Sequence, residues 1–172
     1  MKKVWVTATL VVALLVGMAG ASALAAKPRG GARQPVAILN GYQEVPSLST
    51  AGRGAFRASI GRESISFRLA YARLEAPATA AHIHLGQPGV AGGVIAFLCG
   101  GTKPACPATA GTVTGTVTPA DVVGPAAQGI APREFGELVR ALRVGATYVN
   151  VHTTRYPAGE IRGQILPRRF FR

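Results

Sequence analysis

Acidic residues are scarce in this chain: seven Asp and Glu stand against nineteen Lys and Arg. That shortage weighs against chemistry built on paired carboxylates, such as glycoside hydrolysis. There is no G-x-S-x-G segment, and no nucleophile stands beside an evident base, which argues against an acyl-transfer hydrolase. The glycine-rich stretch Gly86–Gly93 lacks a following Lys-Ser/Thr and a helical pattern, so it is not a phosphate loop. Histidine numbers three and cysteine two. Three imidazoles cannot furnish both halves of a two-metal dismutase site. Long apolar runs are equally few. Val4 to Met18 is the one extended run, about 15 residues, short of the roughly 20 that a membrane span needs.

That run follows Met1-Lys2-Lys3 and precedes the small residues Ala21-Ser22-Ala23, the pattern of a secretory signal peptide. Residues 1–26 are therefore expected to be removed on export, leaving no transmembrane span, with a retained anchor as the alternative. The mature chain would be periplasmic or secreted. Without Lys2 and Lys3 it carries 17 basic residues, 15 of them Arg, against 7 acidic, a net charge of +10. Such a charge attracts anionic matter. Outside the cytoplasm the partners would be an unknown protein or an anionic envelope polymer, with no specific nucleic acid. Along the sequence the arginines are scattered, and only Arg168–Arg172 is locally dense, so solubility is the simpler reading of the charge.

What is present is mostly strand pattern, in a composition that is 48% hydrophobic and supports a core. After a flexible leader, 27–34, short alternating runs are expected at Pro35–Leu39, Gly54–Ile60, Ser64–Tyr71, Ala80–Gly86, Val94–Leu98 and Gly111–Thr118. Two more follow, Tyr148–Thr153 and Gly159–Ile165, joined by a turn through Pro157. Phe135, Leu138, Val139 and Leu142 recur at helical spacing after Pro132, and Gly145 is a natural stop. Eight strands and one short helix predict an all-β fold, an antiparallel Greek-key, immunoglobulin-like sandwich. Cys99 and Cys106 enclose a turn-rich spacer in an exported chain, which predicts a disulfide.

All the histidine lies in two of these strands. Alternation puts His82 and His84 on one strand face, and Asn150 with His152 on one face of another. The final strand adds Glu160, Arg162 and Gln164. His82, His84 and His152 could together offer three nitrogens to copper or zinc, with Asn150 or Glu160 as a fourth ligand or an orienting partner. The bland alternative is a cross-strand hydrogen-bond network of the same histidines with Asn150, Glu160 and Arg162.

Three segments carry a family resemblance. They are Leu39-Asn40-Gly41-Tyr42-Gln43-Glu44-Val45-Pro46, Ala81-His82-Ile83-His84-Leu85-Gly86, and Tyr148–Thr153 with Pro157–Ile165. In this order, with the helix just before the third, the chain resembles the CHRD (chordin-type) domain over residues 35–166, leaving 167–172 as a basic tail. The resemblance implies an extracellular β-sandwich and supplies no defined activity. Likeness to the copper site of superoxide dismutase is architectural analogy alone. The expected function is therefore a non-enzymatic binding or structural module at the cell envelope, with His82, His84, Asn150, His152, Glu160 and Arg162 as its interaction face. The alternative is a copper- or zinc-binding protein using His82, His84 and His152, with redox activity as a further option.

Overall fold

A computed structural model of the chain describes Met1 and residues 34–167. The expected signal peptide, nearly all of the leader and the dense part of the basic tail, 168–172, lie outside the described residues.

The described residues form eight strands and one α-helix. In chain order these are β1 (Val36–Asn40), β2 (Arg53–Ile60), β3 (Ile65–Ala72), β4 (Ala78–Leu85), β5 (Val94–Cys99), β6 (Gly111–Val117), α1 (Phe135–Val144), β7 (Thr147–Thr153) and β8 (Ile161–Ile165). Short 3-10 turns occupy Gly41–Gln43, Pro119–Asp121 and Ala126–Gln128. At the first of them Asn40 accepts a hydrogen bond from the Gln43 backbone N–H, and a side chain at Gly41 would run into Thr50 and the Leu48 carbonyl. The Asn-Gly signal therefore marks a tight turn with no room for a Cβ.

The all-β expectation is met, but the layering differs from two stacked sheets. Every strand joins a single antiparallel sheet in the order β5-β4-β7-β8-β1-β2-β3-β6. The sheet curls until its edges, β5 and β6, come near one another, so the architecture is a nearly closed barrel. Eight twisted strands enclose just enough space for side chains to fill. Leu39, Phe56, Leu69, Ile83, Ile95, Val149, Val151, Ile161 and Ile165 fill it, all at most 2% exposed.

The helix begins at Phe135, three residues later than Pro132 suggests, because Arg133 has a φ of 73° that no right-handed helix contains. It ends as expected: Gly145 takes φ 76° and donates to the carbonyls of Ala141 and Leu142. Leu138 and Leu142 from its apolar face join the core. Cys99 and Cys106 form the expected disulfide, with their Cα atoms 5.1 Å apart. No helix among the described residues is long and apolar enough to cross a membrane.

Candidate metal centre

The two histidine strands are neighbours. β4 and β7 pair with His82 opposite Asn150 and His84 opposite Tyr148, and β7 pairs in turn with β8, placing Asn150 opposite Arg162. Because Ile83, Val149, Val151 and Ile161 point into the barrel, alternation turns His82, His84, Tyr148, Asn150, His152 and Arg162 outward. Register across 70 residues thus brings His82, His84, Asn150, His152 and Arg162 onto one face.

That face is roofed rather than open. His82 and His84 are only 8% and 7% exposed, Asn150 3% and Arg162 2%. The loop between β4 and β5 supplies much of the cover. Arg162 donates through Nη2 to the carbonyls of Gln87 and Val90, both at 2.9 Å, and Gln164 donates to the carbonyl of Gly86. The Gly92 N–H donates to the Tyr148 hydroxyl at 3.1 Å. A Cβ at Gly92 would collide with the Leu85 carbonyl, so the glycine lets the roof approach the strand. Glu44, 7% exposed, flanks the site just after the Gly41–Gln43 turn, and a side chain at Gly159 would run into its carboxylate. His152 is the one partly exposed histidine.

One nitrogen from each of His82, His84 and His152 lies within 4.8 Å of the others. Bonds of about 2.0–2.1 Å to a common ion set neighbouring donors roughly 3–4 Å apart, so modest side-chain rotation suffices to converge them. Two backbone carbonyls decide the tautomers. His84 Nδ1 stands 2.9 Å from the Gly92 carbonyl, and His152 Nδ1 stands 2.9 Å from the Pro157 carbonyl. A carbonyl can only accept, so each Nδ1 carries hydrogen and each neutral ring has its lone pair on Nε2. The Nε2 atoms of His82 and His84 are buried and have no hydrogen-bond partner. His152 Nε2 lies 3.0 Å from His82 Nδ1 and 3.0 Å from Asn150 Oδ1. With its lone pair on Nε2, His152 accepts from His82 Nδ1–H, and only His84 combines an Nδ1–H bonded to a carbonyl with a free Nε2, the arrangement that orients an imidazole toward a metal.

Electrostatics keep the rings neutral. Burial, then the neighbouring His152 and His84, push His82 down to about 3. Burial brings His84 to about 4 in spite of its bond to Gly92, and burial likewise lowers His152 against its bond to Pro157. Neutral imidazole is the metal-ligating form. Burial raises Glu44 to about 7, outweighing the attraction of Arg162 and the hydrogen bonds from Val45 and Asn150. The Arg162 guanidinium, whose own pKa burial lowers, covers the Tyr148 ring, and that ring stacks on His84. Phe97 from β5 meets His82 edge-on with centroids 4.4 Å apart.

Of the residues expected on this face, His82, His84, Asn150, His152 and Arg162 are gathered together. Glu160 is elsewhere. It is fully buried, but its Oε1 accepts from the Thr50 hydroxyl at 2.8 Å and the Glu75 N–H at 2.9 Å, and none of its hydrogen bonds reaches a histidine, Asn150 or Arg162. The reason is local: Gly159, with φ 132°, breaks the extended backbone, so β8 begins at Ile161 and Glu160 is outside its alternation. Alternation alone places Tyr148 beside Asn150 and His152, but it marks neither Glu44 nor the carbonyls of Gly92 and Pro157 as part of the site. A lone acid between Tyr42 and Pro46 in so basic a chain was the available signal for Glu44.

Fold and site together define a single β-barrel-like domain with a roofed cluster of three neutral histidines. A family model described as the CHRD domain matches residues 36–165, which span all eight strands, and the chain belongs to that family. Membership suggests a non-enzymatic binding module. No curated protein and no solved structure matches the chain.

Proposed function

We propose that this chain is an exported, non-enzymatic binding module that holds one copper or zinc ion on His82, His84 and His152, at the cell envelope or outside the cell. The observation that carries the reading is the pair of buried Nε2 lone pairs, on His82 and His84, that no protein group satisfies. An unsatisfied buried acceptor costs about 1–3 kcal/mol, and a cation shared by the three rings would recover that cost. Neutral rings at pH 7, two tautomers fixed by carbonyls, and a partly exposed His152 as the side of approach all favour the same role. Nitrogen donors without sulfur suit Zn(II) and Cu(II). The signal-peptide pattern of residues 1–26 and the Cys99–Cys106 disulfide support export to an oxidising compartment.

The test is metal content by mass spectrometry on untagged mature protein from its native compartment. About one equivalent of copper or zinc is expected, and it should vanish in His82→Ala and His152→Ala variants that keep the wild-type circular dichroism. Protein that holds no metal and takes up none on titration would leave the histidines as a hydrogen-bonded network and end this proposal. Copper in the site would justify a superoxide dismutation assay.

A further inference from the structure

The arginines that are scattered in sequence are partly gathered by the sheet. Arg57 on β2 lies directly opposite Arg68 on β3, both exposed on the outside of the barrel. Directly opposed residues hold their Cβ atoms about 5 Å apart, where like charges destabilise the pair. None of the seven acidic residues belongs to β1, β2, β3 or β6. Among the described residues the ion pairs are Lys103–Asp121, Arg140–Glu137 and Arg155–Glu75, so neither arginine has a carboxylate. Arg68 has one polar contact, donating through Nη2 to the Thr112 hydroxyl at 3.1 Å.

Between the two guanidinium groups and β1 runs a shallow groove of about 360 Å³, with Arg57 and Arg68 lining it beside Ile38, Ala55 and Ala70. Ile38, 63% exposed, adds apolar surface to this groove. Arg53 continues the positive face four residues back along β2, about 13 Å away.

We infer that this outer face of β1, β2 and β3 binds an acidic polysaccharide, through its uronate sugars. A carboxylate suits the planar fork of Arg57 or Arg68, and its charge relieves the repulsion between them. The apolar floor of Ile38, Ala55 and Ala70 accepts the C–H face of a sugar ring, which a bare phosphate chain does not offer. The span to Arg53 lets a linear chain place successive carboxylates on successive arginines. The surface is separate from the histidine cluster and does not depend on metal there.

The test is calorimetric titration of the mature protein with a hexauronate at about 0.15 M salt, where long-range steering is screened. Binding is expected, with a loss of tenfold or more in the Arg57→Ser/Arg68→Ser double variant. That variant should melt no lower than wild type, because a repulsive pair is removed, so lost binding cannot be put down to unfolding. An Arg140→Ser/Arg143→Ser variant on α1 removes the same charge and should bind as wild type does. No binding to the hexauronate, an equal loss in the α1 variant, or equally tight binding of a hexameric polyphosphate would each overturn the inference.

Discussion

The guanidinium carbon of Arg162 stands 3.4 Å from the centre of the Tyr148 ring. The same ring stacks on His84, 4.7 Å between centroids and 10° from parallel. Arg162 thus does two things at once. It ties down the roof through the Gln87 and Val90 carbonyls, and it presses the tyrosine against a histidine of the cluster. A buried cation is tolerable there because an aromatic face, two carbonyls and the nearby Glu44 replace the water it loses.

Arg162→Ala removes two charge-assisted hydrogen bonds and the stacking, and should cost about 3 kcal/mol or more in urea unfolding. Arg162→Lys should recover only part of that loss, since an ammonium lacks the planar fork and stacks less well. A loss below about 0.5 kcal/mol in the alanine variant would show that the roof stands without Arg162.

The metal-free protein should show two opposed pH dependences. The histidines titrate near 6.5 when unfolded, but His82 and His84 are held at about 3 and 4 when folded. Their contribution to stability is complete above 6.5 and is lost as pH falls toward those values. Glu44 runs the other way: raised from 4.5 to about 7, it contributes fully below 4.5 and loses its contribution as pH rises through 7. Glu44→Gln should abolish only the second trend. In chelator, the variant should gain stability over wild type on going from about pH 5 to about pH 8. Parallel pH curves for the two proteins would show that Glu44 does not titrate in this way.

Glu160 separates a structural acid from a metal ligand. Glu160→Ala leaves the Thr50 hydroxyl and the Glu75 N–H without their acceptor and should cost about 2–4 kcal/mol. Glu160→Gln keeps an acceptor oxygen and should cost less. Metal content of the glutamine variant, measured beside the histidine variants, should equal wild type. Metal lost from a well-folded Glu160→Gln protein would place that carboxylate in the coordination shell after all.

Much of the site was legible before any coordinates. Period-two alternation assigned His82 with His84, and Asn150 with His152, to shared faces, because side-chain direction along a strand is local. Arg162 followed by the same rule. Glu160 did not, since one glycine at φ 132° ends the alternation and nothing in the residue order announces where the strand will begin. The burial of that face was not legible either, because it depends on a loop that packs back over those residues through Arg162, Gln164 and Gly92.

By itself, then, the sequence determined what depends on near neighbours in the chain. That includes the all-β character, the inward and outward residues of each strand, the helix stop at Gly145, the Cys99–Cys106 bridge and the CHRD segments. Tertiary structure alone decided the closing of one sheet toward a barrel and the meeting of His82 with His152. It also decided the roof over them and the placing of Arg57 against Arg68. Those relations join residues from 11 to more than 70 positions apart, and their register is chosen by the packing of the whole core rather than by any local preference.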